Sequence, residues 1–167
     1  MNYIKRNLEK IVSQVTKEYP VLLVTGPRQV GKTTMLQKLM EGTDRSYVSL
    51  DDLNERSIAK TDPELFLQLH KPPVLIDEVQ YAPELFTYIK MNVDKKHEPG
   101  AFWLTESQVF KLMQGVQESL AGRVAVLSLT SLSQAEISGG DVEPFTIEME
   151  ALAERKKGRK EADTKEI

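Results

Sequence analysis

The chain contains no cysteine among its 167 residues. That removes disulfides and thiolate-held metals from consideration, and it permits a reducing compartment without requiring one. Long apolar runs are also missing: none approaches the ~20 residues a membrane-spanning helix needs. The first residues, Met-Asn-Tyr-Ile-Lys-Arg, lack the apolar core of a signal peptide. Charge of one sign is not in excess, since the formal net charge is only -3. A weak acidic balance gives no electrostatic case for nucleic acid or for an anionic membrane. The one basic cluster, Arg155 to Lys160, has acidic neighbours and no interleaved aromatics, so it does not read as a nucleic-acid patch. Histidine is scarce, and neither His70 nor His97 has ligand spacing around it. The expectation is a cytoplasmic protein with no membrane partner, and charge gives no indication of nucleic acid.

What is present is ordinary in amount: 40% hydrophobic and 28% charged residues, enough for one domain with a real core. The pattern carries more than the amounts. Residues 3–18 read as an amphipathic helix with Ile4, Leu8, Ile11, Val12 and Val15 on one face. Short apolar runs at 21–25, 47–50, 74–76, 101–105 and 124–127 read as strands. Between them lie helical stretches. One runs from Lys32 to about Glu41, with Gly42 as its stop. Another opens at Asp62-Pro63, with Leu65, Phe66 and Leu69 inward, and breaks at Pro72-Pro73. A third opens near Pro83 and aligns Leu85, Phe86, Ile89 and Val93. A fourth starts near Ser107 and aligns Val109, Met113, Val116 and Leu120. Strands alternating with helices, each strand apolar on both faces, predict a parallel sheet covered on both sides. The expected core is 1–138, including the amino-terminal helix. Residues 139–167 read as a linker and a charged tail of mixed sign, solvated or disordered.

The densest signal follows the first strand. Gly26, Pro27, Arg28, Gln29, Val30, Gly31, Lys32, Thr33 and Thr34 spell G-x-x-x-x-G-K-[ST]. The two glycines supply dihedrals that side chains tolerate poorly. A loop that turns back on itself can aim its amide N–H groups at one spot, and the next helix adds its positive amino-terminal end there. Lys32 would reach the β- and γ-phosphates of a nucleotide, and the Thr33 hydroxyl would ligate Mg²⁺.

Asp77 and Glu78 end the third strand, at the edge where open α/β sheets bind ligands. Asp77 suits Mg²⁺, and Glu78 suits the orienting and polarising of an attacking water. The fourth strand ends in Thr105-Glu106-Ser107. A hydroxyl there could hydrogen-bond the γ-phosphate or the water, and Ser107 serves equally well as a helix N-cap. Arg123 is a candidate arginine finger or a partner in a surface salt bridge. Asp51-Asp52 suits an Asx-turn, and Phe102 and Trp103 suit the core.

Gly26-Pro-Arg-Gln-Val-Gly-Lys-Thr-Thr34, Leu50-Asp-Asp52, Ile76-Asp-Glu-Val-Gln80, Ala82-Pro-Glu-Leu85 and Leu120-Ala-Gly-Arg123 together resemble the successive motifs of a prokaryotic AAA-type P-loop ATPase family. Members of that family pair the ATPase domain with a carboxy-terminal domain of unknown function. The resemblance runs from about Tyr3 to Ile137. It implies a three-layer α/β sandwich with sheet order 5-1-4-3-2, Walker A at the glycine loop, Walker B at 74–78, a sensor region at 105–107, and Arg123 as the finger. ATP and Mg²⁺ are the implied cofactors, and a finger acting between subunits implies a homo-oligomer. There are two departures. The family usually reads Leu-Thr-Gly-Ser-Gln where this chain reads Leu104-Thr-Glu106-Ser-Gln108, which bears on hydrolysis more than on binding. The family also continues for roughly twice this length, so the chain reads as a truncated product or an excised domain.

The expected activity is ATP binding with slow Mg²⁺-dependent hydrolysis, and the catalytic set is Lys32, Glu78, Ser107 and Arg123. The alternatives are a nucleotide-binding-only module and, less in keeping with Glu78, a small P-loop kinase. A GTPase would carry an Asn-Lys-x-Asp motif, which is absent. Glu106 is expected either to oppose the phosphates or to swing into solvent.

Overall fold

Each apolar run becomes a strand because helices cover the sheet on both faces. In the computed structural model, which describes residues 3–107, 119–139 and 149, five strands are formed: β1 (Val21–Thr25), β2 (Ser46–Ser49), β3 (Val74–Asp77), β4 (Phe102–Glu106) and β5 (Val124–Ser128). Their order is β2-β3-β4-β1-β5 and every neighbouring pair is parallel, so the expected 5-1-4-3-2 sheet is formed. β1 lies between β4 and β5 and is buried along its whole length. β5, at one edge, is only half covered, and Val126 stays 40% exposed.

Alternate strand residues feed two cores, as the period of two requires. Val21, Leu23, Val74, Ile76, Phe102 and Leu104 face one side. There they meet α4 (Pro63–Leu69) and α5 (Leu85–Lys96) through Phe66, Leu85, Phe86, Ile89 and Val93. Leu22, Val24, Leu75 and Trp103 face the other side, against Val12 of α1 (Leu8–Val15) and Met35 and Leu36 of α2 (Lys32–Met40). The result is the expected three-layer sandwich.

Several local expectations change. α1 begins at Leu8 rather than Tyr3, because Glu9 Oε1 takes both the Tyr3 hydroxyl and the Arg6 amide and holds residues 3–6 outside the helix. Ile4 and Ile11 are therefore exposed, not packed. α3 (Leu53–Thr61) has no sequence forecast. It buries only Ala59, too little for a periodic stripe, and it is started by Asp52, whose Oδ1 accepts from the Asn54 and Glu55 amides. In α4 the Asp62 cap and Pro63 stand as expected, but Pro63, Phe66 and Leu67 turn inward while Leu65 and Leu69 stay exposed. β2 starts one residue early, at Ser46. A short α6 (Gln134–Ser138) follows β5, closed by a Ser133–Glu136 capping box. His70 lies against Phe66 and pairs with Glu55. The helix forecast after Ser107 lies outside the described residues apart from its last part, where Leu120 is buried. Most of the 139–167 tail also lies outside them.

Candidate functional site

Because the strands are parallel, Thr25, Asp77 and Glu106 finish at the same sheet edge, each followed by a loop. The loop after β1 is shaped by its glycines. Gly26 has φ +142, and a Cβ there would sit 2.1 Å from the Leu129 carbonyl oxygen. Gly31 caps α2 at φ +92. Both are conformations that L side chains rarely adopt. Among the described residues, the amide N–H groups of 28–34 find no backbone carbonyl partner. A run of unpaired amides at a helix amino terminus is an anion-binding concavity.

The polar groups at this edge form one network. Lys32, only 5% exposed, donates to the carbonyls of Gly26 at 2.9 Å and Pro27 at 2.8 Å and to Ser107 Oγ at 3.1 Å. Burial lowers its pKa, against the pull of Glu78 and Asp77. Ser107 Oγ in turn donates to Glu78 Oε1 at 2.8 Å. Thr33 Oγ1 donates to Asp77 Oδ1 at 2.7 Å, so the hydroxyl and carboxylate expected to share a cation are already adjacent. Glu78 sits in the left-handed region at φ +57 and begins a single 3-10 turn, Val79–Tyr81. Gln80 Nε2 donates to its Oε2.

Lys32, Thr33, Asp77, Glu78 and Ser107 are thus brought together at one sheet edge. Thr105 is not placed to meet a phosphate. It is fully buried, donates to Asp77 Oδ1, and accepts from the Glu78 amide at 3.0 Å, so it fixes the Asp77 carboxylate and the Glu78 backbone. Arg123 is not brought to the site of its own chain. It precedes β5, whose first residue pairs with Val21, so it lies at the opposite sheet edge. There it bonds Asp94, both side chains being 33% exposed. The surface-pair reading is the one the fold realises within the chain. Glu106 does not swing into solvent. Its side chain is fully buried, because the strand continues one residue further than expected.

Three features of the site had no forecast. Tyr47 donates its hydroxyl to Asp77 Oδ2 at 3.2 Å, and burial followed by Asp77 raises the Tyr47 pKa. Arg6, 5% exposed, donates to the Val30 carbonyl of the loop at 2.8 Å and to the Thr130 carbonyl at 2.7 Å. It also pairs with Glu136 at 3.1 Å. Beside the loop, a mostly apolar cavity of about 490 Å³ is lined by Tyr3, Ile4, Val30, Gly31, Thr34 and Leu132, among others. Of the remaining loop residues, Pro27, Arg28 and Gln29 are exposed, and Arg28 donates to the Tyr81 hydroxyl at 3.2 Å.

A family model described as an AAA domain matches residues 18–138. The chain belongs to the AAA domain family. This AAA domain is 34% identical over 119 residues to the uncharacterized proteins Rv2008c of Mycobacterium tuberculosis and Mb2031c of Mycobacterium bovis, in alignments covering 71% of this chain and 26% of each relative. The chain therefore spans about a quarter of the length of those relatives. Among solved structures, it resembles the Walker-type ATPase PABY2304 of Pyrococcus abyssi, with TM-score 0.58 and 17% identity over 84% of this chain and 60% of that one. It also resembles PCH-2 of C. elegans, with TM-score 0.51 and 16% identity over 77% of this chain and 44% of that one. At these identities the likeness concerns the fold. The AAA domain is a P-loop nucleotide-binding domain. No helix among its described residues is long and apolar enough to cross a membrane.

Proposed function

We propose that this AAA domain binds Mg-ATP at the loop 26–34 and hydrolyses it slowly. The observation that carries the reading is the network in which Lys32, Thr33, Asp77, Glu78 and Ser107 converge beside seven amides that find no backbone carbonyl partner among the described residues. Lys32 and the amides hold the phosphate oxygens. Thr33 and Asp77 are the residues that would hold Mg²⁺, which when bound neutralises charge on the phosphates. The apolar cavity beside the loop suits the base, with Tyr3, Ile4 and Leu132 as its walls. Glu78 orients and polarises the attacking water and accepts its proton at the carboxylate, while Ser107 positions Glu78 against Lys32. Arg123 can meet a nucleotide only from a neighbouring copy of the chain, so a finger role goes with a homo-oligomer. Residues 1–138 would be the ATPase core, 139–167 its linker and tail, and the cytoplasm its compartment.

The test is Glu78→Gln, whose amide cannot accept a proton. ATP binding should persist while single-turnover phosphate release falls by about 10²- to 10⁴-fold, the range for a lost general base. Equal release from both proteins would remove Glu78 from the chemistry. A binding-only reading has one observation in its favour. Both Glu78 oxygens already accept a hydrogen bond, from Ser107 and Gln80, which draws the carboxylate toward its own chain and leaves each oxygen fewer sites for a water. Wild-type protein that holds ATP without releasing phosphate would decide for it.

A further inference from the structure

Glu106 is the last residue of β4, in register with Thr25 at the mouth of the phosphate loop. Its side chain is fully buried, and among the described residues neither carboxylate oxygen has a hydrogen-bond partner. Buried carboxylates are normally paired, and an unpaired one is pushed toward its neutral form. The cation that could answer it is Lys32. All three ammonium protons of Lys32 are already committed, to the Gly26 and Pro27 carbonyls and to Ser107. From β1 the register neighbour is the neutral Thr25, and within β4 it is the neutral Thr105. From the β3 side come the like charges of Asp77, the last residue of that strand, and of Glu78 just after it. Burial first, then Glu78, push the Glu106 carboxyl up to about 7, with Lys32 opposing.

A polyphosphate entering the loop brings more negative charge to this pocket and draws Lys32 away from its present acceptors. Both changes disfavour an ionised Glu106 further. We propose that Glu106 takes up a proton when a polyphosphate binds, so that the loop receives its anion beside a neutral carboxyl and its affinity is linked to pH. This rests on the nucleotide reading of the loop and deepens it. The neutral acid is also a hydrogen-bond donor, which the ionised form is not, so protonation turns a repelling group into one able to meet an anionic oxygen. Occupancy of the site would then fall as the surroundings become alkaline.

The experiment is calorimetric titration of Mg-ATP into the full chain at about pH 8, in Tris and in HEPES, whose ionisation heats differ. The wild type should take up roughly half to one proton per nucleotide, and its affinity should fall by up to about tenfold per pH unit above neutrality. Glu106→Gln, the shape of the neutral acid, should take up none, and its affinity should be flat with pH. Glu106→Gly provides a second variant with the same expectation, and the wild-type measurement stands without either. Binding heats independent of buffer in the wild type would overturn the linkage alone. Undiminished proton uptake in both variants would remove Glu106 as its source. No binding heat from the wild type at pH 6 or from Glu106→Gln at pH 8 would retire the nucleotide reading, and the linkage with it.

Discussion

Removing the Glu136 carboxylate tests whether charge clamps the amino-terminal segment to the exit of β5. Glu136 Oε1 accepts from Arg6 Nε at 3.1 Å and from the Asn7 amide at 2.8 Å, and Oε2 accepts from the Ser133 amide at 2.8 Å. Burial pushes this carboxyl up, but the Ser133 and Asn7 amides, Arg6 and the Ser133 hydroxyl together hold it at about 2 instead of 4.5. At 1.36 kcal/mol per pKa unit that is worth about 3 kcal/mol, which solvent screening at the molecular rim reduces to about 2 kcal/mol. Truncation also strands Arg6, a buried cation, which returns part of the cost. Glu136→Ala should therefore lower the unfolding free energy by about 2–3 kcal/mol near neutral pH, or Tm by about 4–12 °C for a chain of this size. The folded value lies below the unfolded one, so the wild type holds this stability above about pH 4.5. It loses it as pH falls through about 2, and the alanine variant should lack that slope. Urea denaturation at neutral and acidic pH reads both effects. The Lys38–Glu41 pair, with side chains 49% and 64% exposed, is the internal control, and Glu41→Ala should cost under about 1 kcal/mol. A Glu136→Ala midpoint equal to the wild type's, or a cost no larger than that of Glu41→Ala, would refute the clamp.

Lys32→Ala should weaken Mg-ATP binding by about 2–4 kcal/mol, the loss of a charge-assisted contact in a partly desolvated site, and unchanged affinity by calorimetry would take the loop out of the site. Specific ATPase activity should rise with protein concentration if Arg123 serves a neighbouring subunit, and Arg123→Ala should abolish that rise. Activity flat with concentration would leave Arg123 as the partner of Asp94 and nothing more. Where the nucleotide-bound Glu106 is ionised, Glu106→Gly should raise turnover by up to roughly ten- to a hundredfold by removing a negative charge near the γ-phosphate, with ADP affinity little changed below neutrality. Free Glu106 ionises as pH rises through about 7 and bound nucleotide holds it neutral to about pH 8, so the gain should be larger at about pH 9 than at about pH 6. Steady-state phosphate release at the two pH values that showed no gain, or an equal one, would count against a charge effect.

The sequence alone determined the elements whose signal is local. A strand buried on both faces must be apolar at every position, so 21–25 and 74–76 were legible without knowing their neighbours. Gly26 and Gly31 are readable for the same reason, because backbone conformation selects them before any contact is made. Asp62-Pro63 announces its helix through capping geometry that spans only a few residues. The sheet order came from resemblance to a family, since spacing does not say which strands pair. α3 was hidden because a helix that buries little has no apolar period to read.

Only the tertiary structure decided which charges meet. Arg6 and Glu136 are 130 residues apart, and nothing at either position marks the other. Tyr47 reaches Asp77 because β2 lies beside β3, and Arg123 misses the loop because a parallel β5 begins at the far edge. Glu106 shows the difference most plainly. The sequence placed a carboxylate at the end of the fourth strand, and it left open whether that group faces solvent. One added residue of strand encloses it, while the loop carbonyls and Ser107 consume the protons of the nearby lysine. A side chain's ionisation depends on the dielectric and partners around it, and those exist only once distant segments have packed.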